Sequence, residues 1–112
     1  MDIEVSQQTG VTLVVPRGDI DLSTADQVKR TLTQLIDGGQ TKLVLDLADV
    51  SYIDSSGLGA LVATMKQARA AGGNLRLCGL QDDVRSILEM TRLIKVIAVH
   101  SDRQEAVASW GP

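Results

Sequence analysis

The residues best suited to chemistry lie in one short tract, Asp54-Ser55-Ser56-Gly57-Leu58-Gly59. The tract follows an apolar run and precedes a segment with helical periodicity, so it falls where a helix begins. A helix N-terminus offers free N–H groups and partial positive charge, and it tolerates a phosphate that adds roughly two negative charges. The tract is therefore a candidate phosphorylation switch. The alternative is that both serines only cap the helix, and spacing alone leaves both interpretations open.

Other kinds of site are disfavoured by the residues present. A Ser-His-Asp triad would need the only histidine, His100, beside one of these serines, and the Gly-x-Ser-x-Gly elbow is absent. We expect His100 to be a solvated loop residue. One cysteine and one histidine are too few preferred ligands for zinc, and the scattered aspartates are typical of turns and caps. Gly57-Leu58-Gly59 lacks the rest of a phosphate-binding loop. No catalytic residue, cofactor or metal is predicted.

The composition predicts one compact domain, residues 1–112, with an aliphatic core. Hydrophobic residues make up 44% of the 112 residues, with no Phe, one Tyr and one Trp. A net charge of -3 provides no basic stripe for nucleic acid. Neither a membrane-spanning segment nor a signal peptide is indicated, so we expect a cytoplasmic protein that does not bind membranes. Cys78, the only cysteine, is expected to be a buried, reduced thiol.

Local patterns predict strands alternating with helices. The strand patterns, rich in aliphatic and β-branched residues, fall at residues 3–7, 11–15, 42–47, 74–78 and 95–99. The helical patterns fall at residues 23–38, 56–71, 81–90 and 101–110. Pro16 is expected to end the second strand, Ser23 to cap the first helix, and Ser101 to open a capping box. This order predicts an α/β fold with a mixed, mostly parallel sheet of about five strands and about four helices.

Three blocks of the sequence carry a family resemblance. The segment Val50-Ser-Tyr-Ile-Asp-Ser-Ser-Gly-Leu-Gly-Ala60 closely resembles the signature of bacterial anti-sigma factor antagonists, which are single STAS domains. Gly18-Asp-Ile-Asp-Leu-Ser-Thr-Ala25 resembles the Gly-Glu-Leu-Asp segment of that family, with Asp19 where Glu is common. Gly72-Gly-Asn-Leu-Arg-Leu-Cys-Gly79 agrees as well. The likeness spans nearly the whole chain, in order, and implies a STAS-like fold.

The resemblance implies a partner switch. In the family, the unphosphorylated antagonist binds an anti-sigma factor, which is also a GHKL-type serine kinase, and so releases the sigma factor. The kinase phosphorylates the antagonist, and a PP2C-type phosphatase reverses this step. The phosphorylated residue of the family corresponds to Ser56, and the two family aspartates correspond to Asp21 and Asp54.

The same resemblance suggests roles for the neighbouring residues. Asp21 and Asp54 would orient the Ser56 hydroxyl, and together with Ser55 they would contact the partner. Gly57 and Gly59 would leave the helix start open to the partner, with Ser55 or Asp54 left to cap the helix.

Leu58 fits both the interface and the core, and its spacing favours the core. The default oligomeric state for a family member of this size is a monomer. Two other functions stay open: a structural subunit of an ABC-type lipid transport complex, and a small-molecule-binding domain.

Overall fold

The computed structural model describes residues 1–111 as a sheet with helices packed on it. The strands are β1 (Asp2–Gln8), β2 (Val11–Arg17), β3 (Lys42–Asp46), β4 (Asn74–Cys78) and β5 (Val99–His100). The helices are α1 (Ala25–Asp37), α2 (Ser55–Ala70), α3 (Asp82–Met90) and α4 (Arg103–Ala108), and a short 3-10 helix spans Leu93–Lys95. The predicted order of strands and helices is confirmed.

The five strands lie side by side in the order β1-β2-β3-β4-β5. β1 and β2 form an antiparallel hairpin through the turn at Thr9 and Gly10, where both residues have positive φ. The pairs β2–β3, β3–β4 and β4–β5 are parallel. Because parallel neighbours are joined by crossover helices, the loops that precede α1, α2, α3 and α4 gather at the carboxyl edge of the sheet.

Side chains of the sheet alternate between two apolar clusters. The larger cluster joins one face of the sheet to α1, α2 and α3, and it includes Val14, Leu43, Leu45, Leu75 and Leu77. The smaller cluster lies on the face covered by α4, and it comprises Val11, Leu13, Val15, Val44, Cys78 and Ala106. β3 is buried from Leu43 to Asp46, as expected for a central strand covered on both faces.

Two details of the first half differ from the prediction. Pro16 does not end β2 but lies within it, opposite Ile3 of the edge strand. The ladder with β3 extends only over residues 12–14, so the missing N–H of Pro16 breaks no bond of that ladder. Ser23 does not cap α1, because the helix begins after Thr24 and Ser23 instead bonds to Asp21.

The last strand is shorter and later than the predicted range of residues 95–99. Arg92 adopts a left-handed conformation after α3, and the chain then makes the 3-10 helix, which lets Leu93 and Ile94 pack against the larger cluster. Only Val99 and His100 pair with β4. Ser101 is not the cap of α4, because Asp102 occupies that position and accepts a hydrogen bond from the Glu105 N–H at 2.8 Å. Apolar periodicity marked this stretch as ordered but could not distinguish a strand from a tight turn.

Candidate functional site

Two loops meet at the carboxyl edge of the sheet and form the site. Ile20, after β2, and Ile53, before α2, form an isolated parallel bridge. The Ile20 N–H donates to the Tyr52 carbonyl at 3.0 Å, and the Asp54 N–H donates to the Ile20 carbonyl at 3.1 Å. Both isoleucine side chains are fully buried. This bridge brings the two sequence blocks that contain Asp21 and Ser56 together.

Asp54 fastens the two loops to each other. Its Oδ1 accepts a hydrogen bond from the Gly57 N–H at 3.0 Å, which caps α2. Its Oδ2 accepts one from the Leu22 N–H, also at 3.0 Å. The sequence left open whether Asp54 or Ser55 caps α2, and the structure shows that Asp54 does. Asp54 thus positions the loops, and within residues 1–111 it makes no hydrogen bond to the Ser56 hydroxyl that it was expected to orient.

Asp21 organises its own loop. Its Oδ1 accepts hydrogen bonds from the Ser23 hydroxyl at 2.6 Å and from the Ser23 N–H at 2.9 Å. These bonds, the hydroxyl's first, lower the pKa of the Asp21 carboxyl below its ordinary value. The Asp21 carbonyl accepts from the Thr24 and Ala25 N–H groups as α1 begins. Asp21 thus carries a negative charge at the site, but its bonded oxygen turns toward Ser23 and not toward Ser56.

The two serines differ in their surroundings. Ser56 is half-buried and lines a groove between α1 and α2, whereas Ser55 is exposed and does not line that groove. Asp54 supplies the helix cap, and within residues 1–111 neither serine hydroxyl has a hydrogen-bond partner. The tertiary structure therefore separates two residues that spacing alone left equivalent.

The groove beside Ser56 is open, with a volume of about 310 Å³. It is lined by Leu22, Ala25, Asp26, Lys29, Ser56, Gly59 and Ala60. Leu22 is 82% exposed, the most exposed large hydrophobic side chain of residues 1–111. Sequence reasoning missed Leu22, although its position outside the apolar face of α1 was a usable signal. Asp26 forms an exposed ion pair with Arg30 at 3.1 Å, so the carboxylate of the groove has a basic partner on its own helix.

The two glycines of the tract have opposite roles. A Cβ at Gly57 would lie 2.6 Å from the Ile20 carbonyl oxygen and 2.6 Å from Ile53 Cγ1. Gly57 is buried, so it permits close packing of α2 on the bridge. It does not leave space for a partner, although the resemblance had suggested that role. A Cβ at Gly59 would have nothing within 4 Å. Leu58 is half-buried and packs against the larger cluster, the interpretation that its spacing favoured.

Two other residues with reactive side chains, Cys78 and His100, lie on the side of the sheet that α4 covers. Cys78 is fully buried there, and burial followed by the nearby Asp46 charge raises the pKa of its thiol to about 12. His100 is not a solvated loop residue. It lies in β5, where it pairs with Cys78 of β4, and its side chain is only 19% exposed. Its Nδ1 lies 3.3 Å from a carboxylate oxygen of Glu105. The structure does not bring His100 to the serine tract.

The fold and the loop pair identify the class of protein. The model of the STAS domain family matches residues 2–106, and the chain belongs to this family. It is 31% identical over 107 residues to the anti-sigma-B factor antagonist of Bacillus subtilis, covering 96% of this chain and 97% of that protein. It is 29% identical over 108 residues to the anti-sigma F factor antagonist of Paenibacillus polymyxa, covering 96% of this chain and 92% of that protein.

Solved structures show the same fold. An anti-sigma factor antagonist from Mycobacterium paratuberculosis superposes with a TM-score of 0.88 at 24% identity, over 96% of this chain and 92% of that one. The phosphorylated form of the Bacillus cell fate determinant SpoIIAA superposes with a TM-score of 0.73 at 18% identity, over 96% of this chain and 98% of that one. Within residues 1–111, none of the helices combines the length and the apolar character needed to cross a bilayer.

Proposed function

We propose that this protein is an anti-sigma factor antagonist that is switched by phosphorylation of Ser56. In its unphosphorylated form it binds an anti-sigma factor that is also a GHKL-type serine kinase. This binding releases the sigma factor, or other target protein, that the anti-sigma factor holds. The observation that carries the proposal is the Ser56 hydroxyl, which lines the groove and has no hydrogen-bond partner within residues 1–111, while Asp54 beside it is bonded to backbone N–H groups. The relatives support it, since they are named as antagonists of anti-sigma factors.

The surroundings of Ser56 suit a residue that is modified without harm to the fold. Asp54 already holds the start of α2, so neither serine hydroxyl is needed as a cap. A phosphate on Ser56 would lie near the N-terminus of α2, where the helix dipole favours negative charge. The modified domain would therefore stay folded, and the effect of the phosphate would fall on binding.

Phosphorylation would weaken binding through the groove. Four of its lining residues, Leu22, Ala25, Gly59 and Ala60, are apolar or lack a side chain. A partner that packs on them must remove water from the adjacent Ser56, and the cost of removing water is far greater for a dianion than for a hydroxyl. Asp21 adds repulsion as a nearby charge, not as a direct contact with Ser56.

The partner would supply the chemistry of the transfer. Asp54 and Asp21 accept hydrogen bonds from their own loops, and within residues 1–111 neither is bonded to the Ser56 hydroxyl, so we assign the base to the kinase. The kinase would provide ATP, magnesium and the catalytic base, and a PP2C-type phosphatase would remove the phosphate. Because the kinase uses ATP, we place the switch in the cytoplasm. A single copy of the chain is sufficient for it.

The site assignment is tested by phosphate mapping with a matched pair of variants. The parent protein, Ser56→Ala and Ser55→Ala are each incubated with the candidate kinase and ATP, and the phosphopeptides are identified by mass spectrometry. We expect modification of the parent and of Ser55→Ala but not of Ser56→Ala. Phosphate on Ser55, or unchanged labelling of Ser56→Ala, would show that the site is wrong.

The switch itself is tested by binding. Ser56→Asp should weaken binding of the kinase at least about tenfold in calorimetry, which corresponds to about 1.4 kcal/mol, whereas Ser55→Asp should bind nearly as the parent does. Equal affinities of Ser56→Asp and the parent would contradict the electrostatic mechanism. Co-purification of the native protein with an ABC-type ATPase, and with no serine kinase, would instead favour the lipid-transport function.

A further inference from the structure

The outer edge of β1 is an unprotected sheet edge. All seven residues of β1 pair in unbroken register with β2, from Asp2 with Arg17 to Gln8 with Val11. The opposite edge of β1 has no strand partner within residues 1–111. The other edge strand, β5, has only two residues. A long, regular edge strand leaves a row of N–H and C=O groups available to another chain.

Three of the usual devices that block such an edge are absent from β1. It contains no proline, no lysine and no bulge. Val5, at its centre, is 42% exposed. The only charged side chains of β1 are Asp2 and Glu4, both in its first half, and Glu4 lies 3.8 Å from Arg17.

We propose that β1 pairs with β1 of a second copy of this chain, antiparallel and about a two-fold axis at Val5. This register pairs all seven residues of the strand. Val5 then faces Val5, Glu4 faces Ser6, Ile3 faces Gln7 and Asp2 faces Gln8. Each acidic side chain thus lies opposite an uncharged polar one, and the exposed valines cover each other.

Charge and strand length favour this register over the pairings centred on Glu4 or on Ser6. A pairing centred on Glu4 would place two glutamates directly opposite each other, and like charges in that position are destabilising. A pairing centred on Ser6 would leave Asp2 and Ile3 without partners. Only the Val5-centred pairing uses the full strand and keeps the carboxylates apart.

Such a dimer leaves the Ser56 groove open, so this inference goes beyond the proposed function. Gln27 of α1 lies toward β1, where its side chain donates to the Met1 carbonyl at 2.8 Å. Asp26 and Lys29 of the same helix line the groove with α2. The second copy would continue the sheet beyond β1 and not cover α2. The expectation of a monomer rested on chain size and takes no account of this edge.

Sedimentation equilibrium over a wide concentration range tests the assembly. The parent should show a reversible monomer–dimer equilibrium. Val5→Lys places two lysines at the axis and should remain monomeric, while Val96→Lys, at a slightly more exposed valine outside the strands, should dimerise like the parent. Circular dichroism checks that both variants are folded. A parent that is monomeric throughout, or a dimer that survives Val5→Lys, would overturn the proposal.

Disulfide trapping tests the register without a destabilising charge. In the proposed pairing the two Val5 Cα atoms lie about 4.5–5.5 Å apart, within the roughly 4.4–6.8 Å that a disulfide spans. The two Ser6 Cα atoms are offset along the strands and lie about 8 Å apart, which is too far. Val5→Cys should therefore form a cross-linked dimer under mild oxidation much faster than Ser6→Cys. Equal rates, or faster cross-linking of Ser6→Cys, would refute the register.

Discussion

Replacing Gly57 with alanine tests whether this glycine serves packing or access. The added Cβ would meet the Ile20 carbonyl oxygen at 2.6 Å, Ile53 Cγ1 at 2.6 Å and Ile20 Cγ2 at 2.9 Å. The carbonyl cannot yield easily, because it accepts the Asp54 N–H bond that holds the two loops together. We therefore expect the fold, and not only binding, to be affected by Gly57→Ala.

The magnitude follows from two opposing effects. Inserting a methyl group into a well-packed core costs about 1–3 kcal/mol, and rigid neighbours favour the upper end of that range. Replacing glycine by alanine within a helix raises the free energy of unfolding by about 0.5–1 kcal/mol, because alanine has the higher helix propensity. The free energy of unfolding of Gly57→Ala should therefore fall by about 2 kcal/mol.

Gly59→Ala is the matched control in the same helix turn. Its Cβ would have nothing within 4 Å, so only the helix-forming gain of about 0.5–1 kcal/mol remains. Urea titrations followed by circular dichroism should place the two variants about 2.5–3 kcal/mol apart, on opposite sides of the parent. If Gly57→Ala is as stable as the parent, the close packing of α2 on the bridge is not as described. Weaker kinase binding by a stable Gly59→Ala would identify Gly59 as a contact.

Three further outcomes follow from the same structure. Asp54→Ala leaves two backbone N–H groups without their acceptor, and urea titration should show a loss of about 1–2 kcal/mol; an unchanged midpoint would contradict its role as a cap. Leu22→Ala should change stability by less than about 0.5 kcal/mol yet weaken kinase binding about tenfold in calorimetry, whereas Met90→Ala, at an 81% exposed residue, should change neither. The Cys78 thiol should resist alkylation at neutral pH until urea unfolds the protein. Its pKa is raised from 9.0 to about 12, so its stabilising contribution is complete below pH 9 and is lost as the pH rises toward 12; Cys78→Ala should lose less stability over that range.

Local patterns predicted most of the fold. The hairpin, the alternation of strands with helices and the burial of Cys78 all follow from short-range periodicity and turn residues. The prediction failed at residues 95–99, where an apolar run packs on the core through a tight turn. It also misplaced the cap of α1, because the Ser23 hydroxyl bonds to a neighbouring aspartate and not to the helix. At residues 95–99 a tertiary contact decided between local conformations, whereas at Ser23 a competing local bond two residues away decided the outcome.

The sequence by itself determined that a serine tract opens a helix at the carboxyl edge of a parallel sheet. Only the tertiary structure decided what each residue of that tract does. The bridge between Ile20 and Ile53 buries Gly57, and Asp54 binds the Leu22 N–H from a loop 32 positions away. Ser55 is left exposed beside the groove, and Ser56 lines it. These differences arise from contacts between distant segments, and spacing within the tract carries no information about them.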